Sequence, residues 1–174
     1  MATWIVMPAY NEERSIGRVI DALRAEGWTN IIVVDDGSRD RTAEIARSKG
    51  AVVVSHPKNM GLGAALRTGL REALERGADS AVTFDADGQH DPKAIRELIA
   101  ALDEADVVIG VRRHFGIPLH KRLGNFALDF VTYLFSGVLT DSQSGSRAFN
   151  RRALEAIRIR SNRYEVSSEI IIQA

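Results

Sequence analysis

Two carboxylates one residue apart close an apolar run in the stretch Val82-Thr83-Phe84-Asp85-Ala86-Asp87-Gly88-Gln89-His90-Asp91-Pro92. Alternate side chains of an extended chain point the same way, so Asp85, Asp87 and Gln89 converge on one side if the extension continues past the strand. Three oxygen-bearing side chains beyond a buried strand suit a hard divalent cation that keeps waters and is shared with substrate phosphates. Gly88 lets the backbone turn, and Pro92 suits the first turn of a following helix. A plainer account is a polar loop in which Asp91 caps that helix.

Two further polar clusters follow apolar runs: Pro8 to Glu12 and Asp35 to Ser38. In a parallel sheet, ligands bind beyond the carboxyl ends of the strands, which is where all three clusters fall. Helix capping and turn chemistry account for one acidic loop but not for three on one rim. A nucleobase needs a flat partner and hydrogen-bonding groups, which Tyr10, Asp36 and Glu12 can supply. A pyrophosphate would be repelled by these acidic loops unless a cation at Asp85, Asp87 and Gln89 bridges carboxylates and phosphate oxygens. Gly61-x-Gly63 offers either a close approach to phosphate or simply a turn into a helix. No Gly-x-x-x-x-Gly-Lys-Ser/Thr loop is present, and the first strand leads to Pro-Ala-Tyr-Asn-Glu rather than a glycine fingerprint. Both facts argue against a P-loop NTPase and a dinucleotide dehydrogenase. A nucleotidyltransferase would show a glycine- and basic-rich loop near the N-terminus, which Pro8 to Ser15 lacks.

The elements that must hold these clusters are legible from periodicity. Strands are predicted at 4–7, 31–34, 51–55, 81–84 and 107–109. Helices are predicted at 15–26, 42–49, from 61 to about 76, and from 93 to about 104. Continuous apolar strands alternating with amphipathic helices predict an α/β fold with a largely parallel central sheet. A longer apolar helix is expected over 119–139, interrupted by Asp129 and suited to a core or to a membrane surface; the residues alone favour the core. Residues 141–149 read as polar and turn-like, then a short strand, with a helix from about 152 to 157. The 174 residues suffice for one domain with a real core. Twenty-three basic and 23 acidic residues balance, so nothing global points to nucleic acid. Cysteine is absent, which removes thiol and disulfide chemistry. The N-terminus lacks the regions of a signal peptide, and no apolar run is long enough to span a bilayer, so a cytoplasmic-side protein is expected. The last residues, Ser168 to Ala174, stop inside what reads as a regular element, which suggests a piece of a longer chain.

Pro8-Ala-Tyr-Asn-Glu12, Val33-Val-Asp-Asp-Gly-Ser-Arg-Asp-Arg-Thr42, Asp85-Ala-Asp-Gly-Gln-His-Asp-Pro92 and Asp141-Ser-Gln-Ser-Gly-Ser-Arg147 together resemble the signature blocks of family 2 glycosyltransferases. These are inverting enzymes of the GT-A fold, and the branch most similar includes dolichol-phosphate mannosyltransferases and polyprenyl-phosphate glycosyltransferases. The resemblance implies that Pro8, Tyr10, Glu12, Val34, Asp36 and Ala86 hold the donor, either GDP-mannose or UDP-glucose. It makes Asp85 and Asp87 an Asp-x-Asp motif for Mg²⁺ or Mn²⁺, with Gln89 as a further ligand. Arg112 and Arg122 match positions that face a polyprenyl or dolichyl phosphate, although Val111 stands where serine is usual. Asp141, Ser144 and Arg147 match the block lining the acceptor side. The resemblance also moves the helix at 119–139 from the core to the membrane interface and implies peripheral contact at the cytoplasmic face. The cluster of Arg112, Arg113, Lys121 and Arg122 suits a solvated face or anionic headgroups equally well. His90 and His114 read as ordinary polar residues. A fragment that binds donor and metal without turnover is the non-catalytic alternative.

The implied reaction is a single displacement at the anomeric carbon. A lipid phosphate is largely ionised near neutral pH, its second pKa being about 6, and needs no strong base. A sugar hydroxyl acceptor would need one, and Asp141 is the late carboxylate available. Asp141→Asn is therefore expected to abolish nearly all transfer to a hydroxyl but only weaken transfer to a lipid phosphate. Equal, mild loss with every acceptor in a transfer assay would remove Asp141 from the role of base.

Overall fold

The computed structural model describes residues 1–110, 146–162 and 165–173. Its core is a six-stranded sheet in the order β3-β2-β1-β4-β6-β5. The strands are β1 (Thr3–Ala9), β2 (Ile31–Asp35), β3 (Val52–Ser55), β4 (Ser80–Thr83), β5 (Val107–Ile109) and β6 (Arg147–Asn150). The helices are α1 (Ile16–Ala25), α2 (Thr42–Ser48), α3 (Leu62–Glu75), α4 (Ala94–Ala100), α5 (Arg151–Ala156) and α6 (Val166–Gln173). A 3₁₀ turn, Ala101–Asp103, extends α4. The expected helix at 119–139 lies outside the described residues.

Both sheet faces are covered, which is why Ile5–Met7 of β1, Ile31–Val34 of β2 and Ala81–Val82 of β4 are apolar without alternation. Ile5, Met7, Ile31, Val33, Val82 and Phe84 face one core with Ile16, Val19, Ile20 and Leu23 of α1 and Ile95 and Leu98 of α4. Val6, Ile32, Val34, Ala81 and Phe149 face the other, against Leu66, Leu70 and Ala73 of α3, Leu154 of α5, and Val166 and Ile170 of α6. The i, i+3, i+4, i+7 stripe of α1 is thus the face it buries.

β1, β2, β3 and β4 are parallel, as expected. The far side differs: β6 runs antiparallel between β4 and β5, pairing Val82 with Ala148 and Val108 with Ala148. The strand expected near residue 149 is therefore an internal one, and β5 never touches the parallel set. Strand order changes direction between β1 and β4, which opens a crevice at their carboxyl ends.

Pro8 fits this geometry. Ile5 and Ala9 bond toward β2 and Val6 toward β4, so by alternation the Pro8 nitrogen faces the β4 side. Pairing with β4 ends at Val6–Thr83, so the donor that proline lacks is not needed there.

α3 lies close on the sheet at Gly69, where an added Cβ would stand 2.3 Å from Val6 Cγ1 and 3.0 Å from Val34 Cγ2. Alanine is the better helix former by about 1 kcal/mol. Overpacking a closed core costs roughly 1–3 kcal/mol. Gly69→Ala is expected to lower the urea midpoint with an unchanged slope; a higher midpoint would show that the helix can shift.

Candidate active site

The carboxyl ends of β1, β2 and β4 enclose an open cleft of about 530 Å³. Pro8, Ala9, Tyr10 and Glu12 form the β1 side, Asp36 the β2 side, Asn59 to Leu62 the rim before α3, and Asp85, Ala86 and Asp87 the β4 side. Seven predicted donor-site residues, Pro8, Tyr10, Glu12, Asp36, Asp85, Ala86 and Asp87, are brought together here. Val34 is not: its side chain is fully buried under α3 and supports the cleft from below. Tyr10 stays 44% exposed and offers an aromatic face.

Side chains clasp the loops after β1 and β2. The Glu12 amide donates to Thr42 Oγ1 (2.7 Å), and that hydroxyl donates to Asp40 Oδ1 (2.5 Å). The Glu13 amide donates to Asp40 Oδ2 (3.1 Å). Asn11 donates its amide to Ser38 Oγ and accepts from the Arg39 amide, both at 2.9 Å. Asn11 sits at φ 56, a left-handed turn that asparagine tolerates well. Glu12 also serves its helix: its carbonyl accepts from the Ser15 and Ile16 amides, and Oε2 from the Ser15 hydroxyl (2.5 Å).

Asp36 is buried and accepts from three donors. His56 Nδ1 (2.7 Å) and the Met60 amide (2.9 Å) reach Oδ1, and the Gly61 amide (2.8 Å) reaches Oδ2. Gly61-x-Gly63 proves to be a turn into α3. The Gly63 amide donates to the Asn162 carbonyl (2.9 Å), and a Cβ there would stand 2.2 Å from the Ser161 carbonyl oxygen. These two amides face protein acceptors, so the phosphate role considered for this pair is not what the geometry uses.

On the β4 side, Asp85 is half-buried and Asp87 exposed. The Gln89 amide donates to Asp87 Oδ1 (2.9 Å). The chain turns over Ala86–Gly88, with Gly88 at φ 79, so Gln89 does not join the cleft wall. His90 is more than an ordinary polar residue: Nε2 lies 2.8 Å from Asp85 Oδ2 and Nδ1 3.1 Å from Ser146 Oγ. Among the described residues no group of three or more His, Cys, Asp or Glu could enclose a metal by itself. Two oxygen ligands opening on a cleft fit a Mg²⁺- or Mn²⁺-like ion that completes its shell with phosphate and water.

Arg147 is 2% exposed in β6, its amide donating to Thr83 Oγ1 (3.1 Å) and Nη2 to Ser167 Oγ (2.9 Å). Arg112, Arg122, Asp141, Ser144 and His114 lie outside the described residues. The residues that sequence reading missed are His56, Asn59, Met60 and the tie made by His90. Each is a lone polar or irregular position with no periodic signal; only the following Gly61 marked the rim.

A family model described as "Glycosyl transferase family 2" matches residues 4–158. A UDP-N-acetylglucosamine–dolichyl-phosphate N-acetylglucosaminyltransferase of Methanococcus voltae is 40% identical over 98% of this chain and 79% of its own length. An undecaprenyl-phosphate mannosyltransferase of Micrococcus luteus is 35% identical over 90% of this chain and 70% of its own. Among solved structures, glucosyl-3-phosphoglycerate synthase of Mycobacterium tuberculosis with Mn²⁺, UDP-glucose and phosphoglyceric acid superposes with a TM-score of 0.76 at 26% identity. That match covers 95% of this chain and 62% of that one.

Burial pushes the Asp40 carboxyl up, but hydrogen bonds from the Thr42 hydroxyl, the Thr42 amide and the Glu13 amide outweigh it and hold it below its ordinary value. A lowered folded-state value stabilises fully above the unfolded value, 3.8, and the gain is lost as pH falls through the lower folded value. Asp40→Asn is expected to cost roughly 1 kcal/mol at pH 7, the scale of a lost hydrogen bond. The gap from wild type should close as the pH drops below 3.8. A gap independent of pH in urea titrations would remove the ionised clasp.

Proposed function

Because this chain belongs to glycosyl transferase family 2, we propose that it moves a sugar, with inversion, from a nucleotide sugar to a polyprenyl or dolichyl phosphate. The observation that carries this reading is the shared cleft: an aromatic face at Tyr10, an acceptor at Asp36, and the Asp85–Asp87 pair meet at the crevice between β1 and β4. The acceptor class rests on the names of the two membrane-lipid-dependent relatives. The fold is the GT-A type that the signature blocks imply.

In this mechanism Tyr10, Glu12 and Asp36 hold the nucleoside, with Pro8 and Ala86 shaping the wall. Asp85 and Asp87 would hold a divalent ion, which would supply positive charge against the negative charge of the leaving diphosphate. His90 holds the Asp85 carboxylate in place. Arg112 and Arg122 orient the acceptor phosphate by charge-assisted hydrogen bonds, and its oxygen attacks the anomeric carbon opposite the leaving group. No strong base is required, because the attacking phosphate is already an anion. A polyprenyl acceptor requires peripheral contact with a membrane, at the cytoplasmic face where nucleotide sugars are supplied. Among the described residues no helix is long and apolar enough to cross a bilayer.

Calorimetric titration with GDP-mannose and UDP-glucose, each with and without Mn²⁺, tests the reading. One donor is expected to bind only with metal, and Asp87→Ala should weaken that binding by at least about tenfold, the lower scale for a disturbed metal site. Donor binding indifferent to both metal and Asp87 would overturn it.

A further inference from the structure

The Asp36 carboxylate is fixed more firmly than a ligand-binding group needs to be. Its side chain is 5% exposed and that of His56 10% exposed. A carboxylate only accepts, so His56 Nδ1 carries the proton between them. The other ring nitrogen, Nε2, lies 2.9 Å from Thr68 Oγ1 on α3, which fixes the imidazole plane. Rotating the carboxylate would break charge-assisted bonds in a site nearly closed to water.

An ionised carboxylate offers about four acceptor positions. His56 and the Met60 amide fill both on Oδ1, and the Gly61 amide fills one on Oδ2. One position on Oδ2 remains. Uracil presents a single ring N–H flanked by two carbonyl oxygens. Guanine presents a ring N–H and an amino group side by side, a pair that needs both carboxylate oxygens open. Resting on the proposed role of Asp36 in facing the base, we infer that His56 makes this site selective for a base with one donor, so that the donor is a uridine diphosphate sugar rather than a guanosine one. His56 is a positioning residue: it touches Asp36, and Asp36 reads the base.

The test is the affinity of UDP, GDP and N3-methyl-UDP, each with Mn²⁺, measured by calorimetry on the wild-type chain and on His56→Ala. Wild type is expected to bind UDP roughly 10- to 100-fold more tightly than GDP, the scale of one buried donor left unpaired. N3-methyl-UDP should lose at least about tenfold against UDP for the same reason. His56→Ala opens Oδ1 and should narrow the UDP-to-GDP ratio, a change that general loosening of the fold would not produce. Equal or tighter binding of GDP by wild type, or no loss on N3-methylation, overturns the inference and leaves the glycosyltransferase reading standing. These two arms need no variant to fold. Binding of none of the three nucleotides would instead overturn the donor-cleft reading, and this inference with it.

Discussion

β1 is hydrogen-bonded on both edges, to β2 along Ile5–Ala9 and to β4 along Thr3–Val6, and everything at the cleft follows from that double pairing. Parallel neighbours in register must end on the same side. Three loops that are far apart in the chain therefore converge within the reach of one small ligand. The ladder on the β4 side stops earlier than that on the β2 side, and the difference is the opening of the crevice. Pro8 marks the boundary, since its nitrogen cannot bond onward. The apolar segments Ile31–Val34 and Ile5–Met7 hold this frame; Tyr10, Glu12 and Asp36 lie just past their ends, and Asp85 and Asp87 just past β4.

The cleft is acidic in a chain whose charges cancel overall. Glu12, Asp36, Asp85 and Asp87 would repel one another and any phosphate if they were merely gathered. Several are instead held by donors: Ser15 on Glu12, His56 and two amides on Asp36, His90 on Asp85, and the Gln89 amide on Asp87. Two kinds of carboxylate result. Asp36 is buried and nearly saturated, which suits discrimination between neutral groups. Asp87 is exposed and lightly held, which suits a hydrated cation. Burial and the number of donors, not residue type, separate the two roles.

Much of this frame was legible in the sequence because it repeats. The stripe Ile16, Val19, Ile20 and Leu23 predicted α1, and the apolar runs predicted β1 to β4, because these elements bury faces with a fixed period. The rim was legible because polar clusters followed three of those runs. What escaped has no period. β6 is a short strand carrying Arg147, and its place between β4 and β5 depends on pairing across more than 60 positions rather than on local preference. His56 acts through ring bonds to Asp36 and Thr68, and His90 through ring bonds to Asp85 and Ser146, contacts that leave no periodic mark. Gln89 was placed by extending the strand rule one residue too far, past a glycine that turns the chain. Gly61 and Gly63 left a ligand loop and a turn into a helix both open, since close approach to a phosphate and close approach to a neighbouring carbonyl demand the same absent side chain; the turn is what the structure shows.

The position of β6 also bears on how the chain is made. Synthesis proceeds from the N-terminus, so β1 to β4 and their helices leave the ribosome first and can assemble in sequence order. The outer edge of β4 must then wait. Its partner is not β5, which emerges next, but Arg147–Asn150, more than 60 residues after Thr83. Until that segment arrives, a row of unpaired backbone groups beside an apolar face stays open to any passing strand, the usual starting point for misassembly. The middle of the sheet closes last, so the nascent chain depends on a segment made more than 60 residues later to bury an edge that β4 has already built.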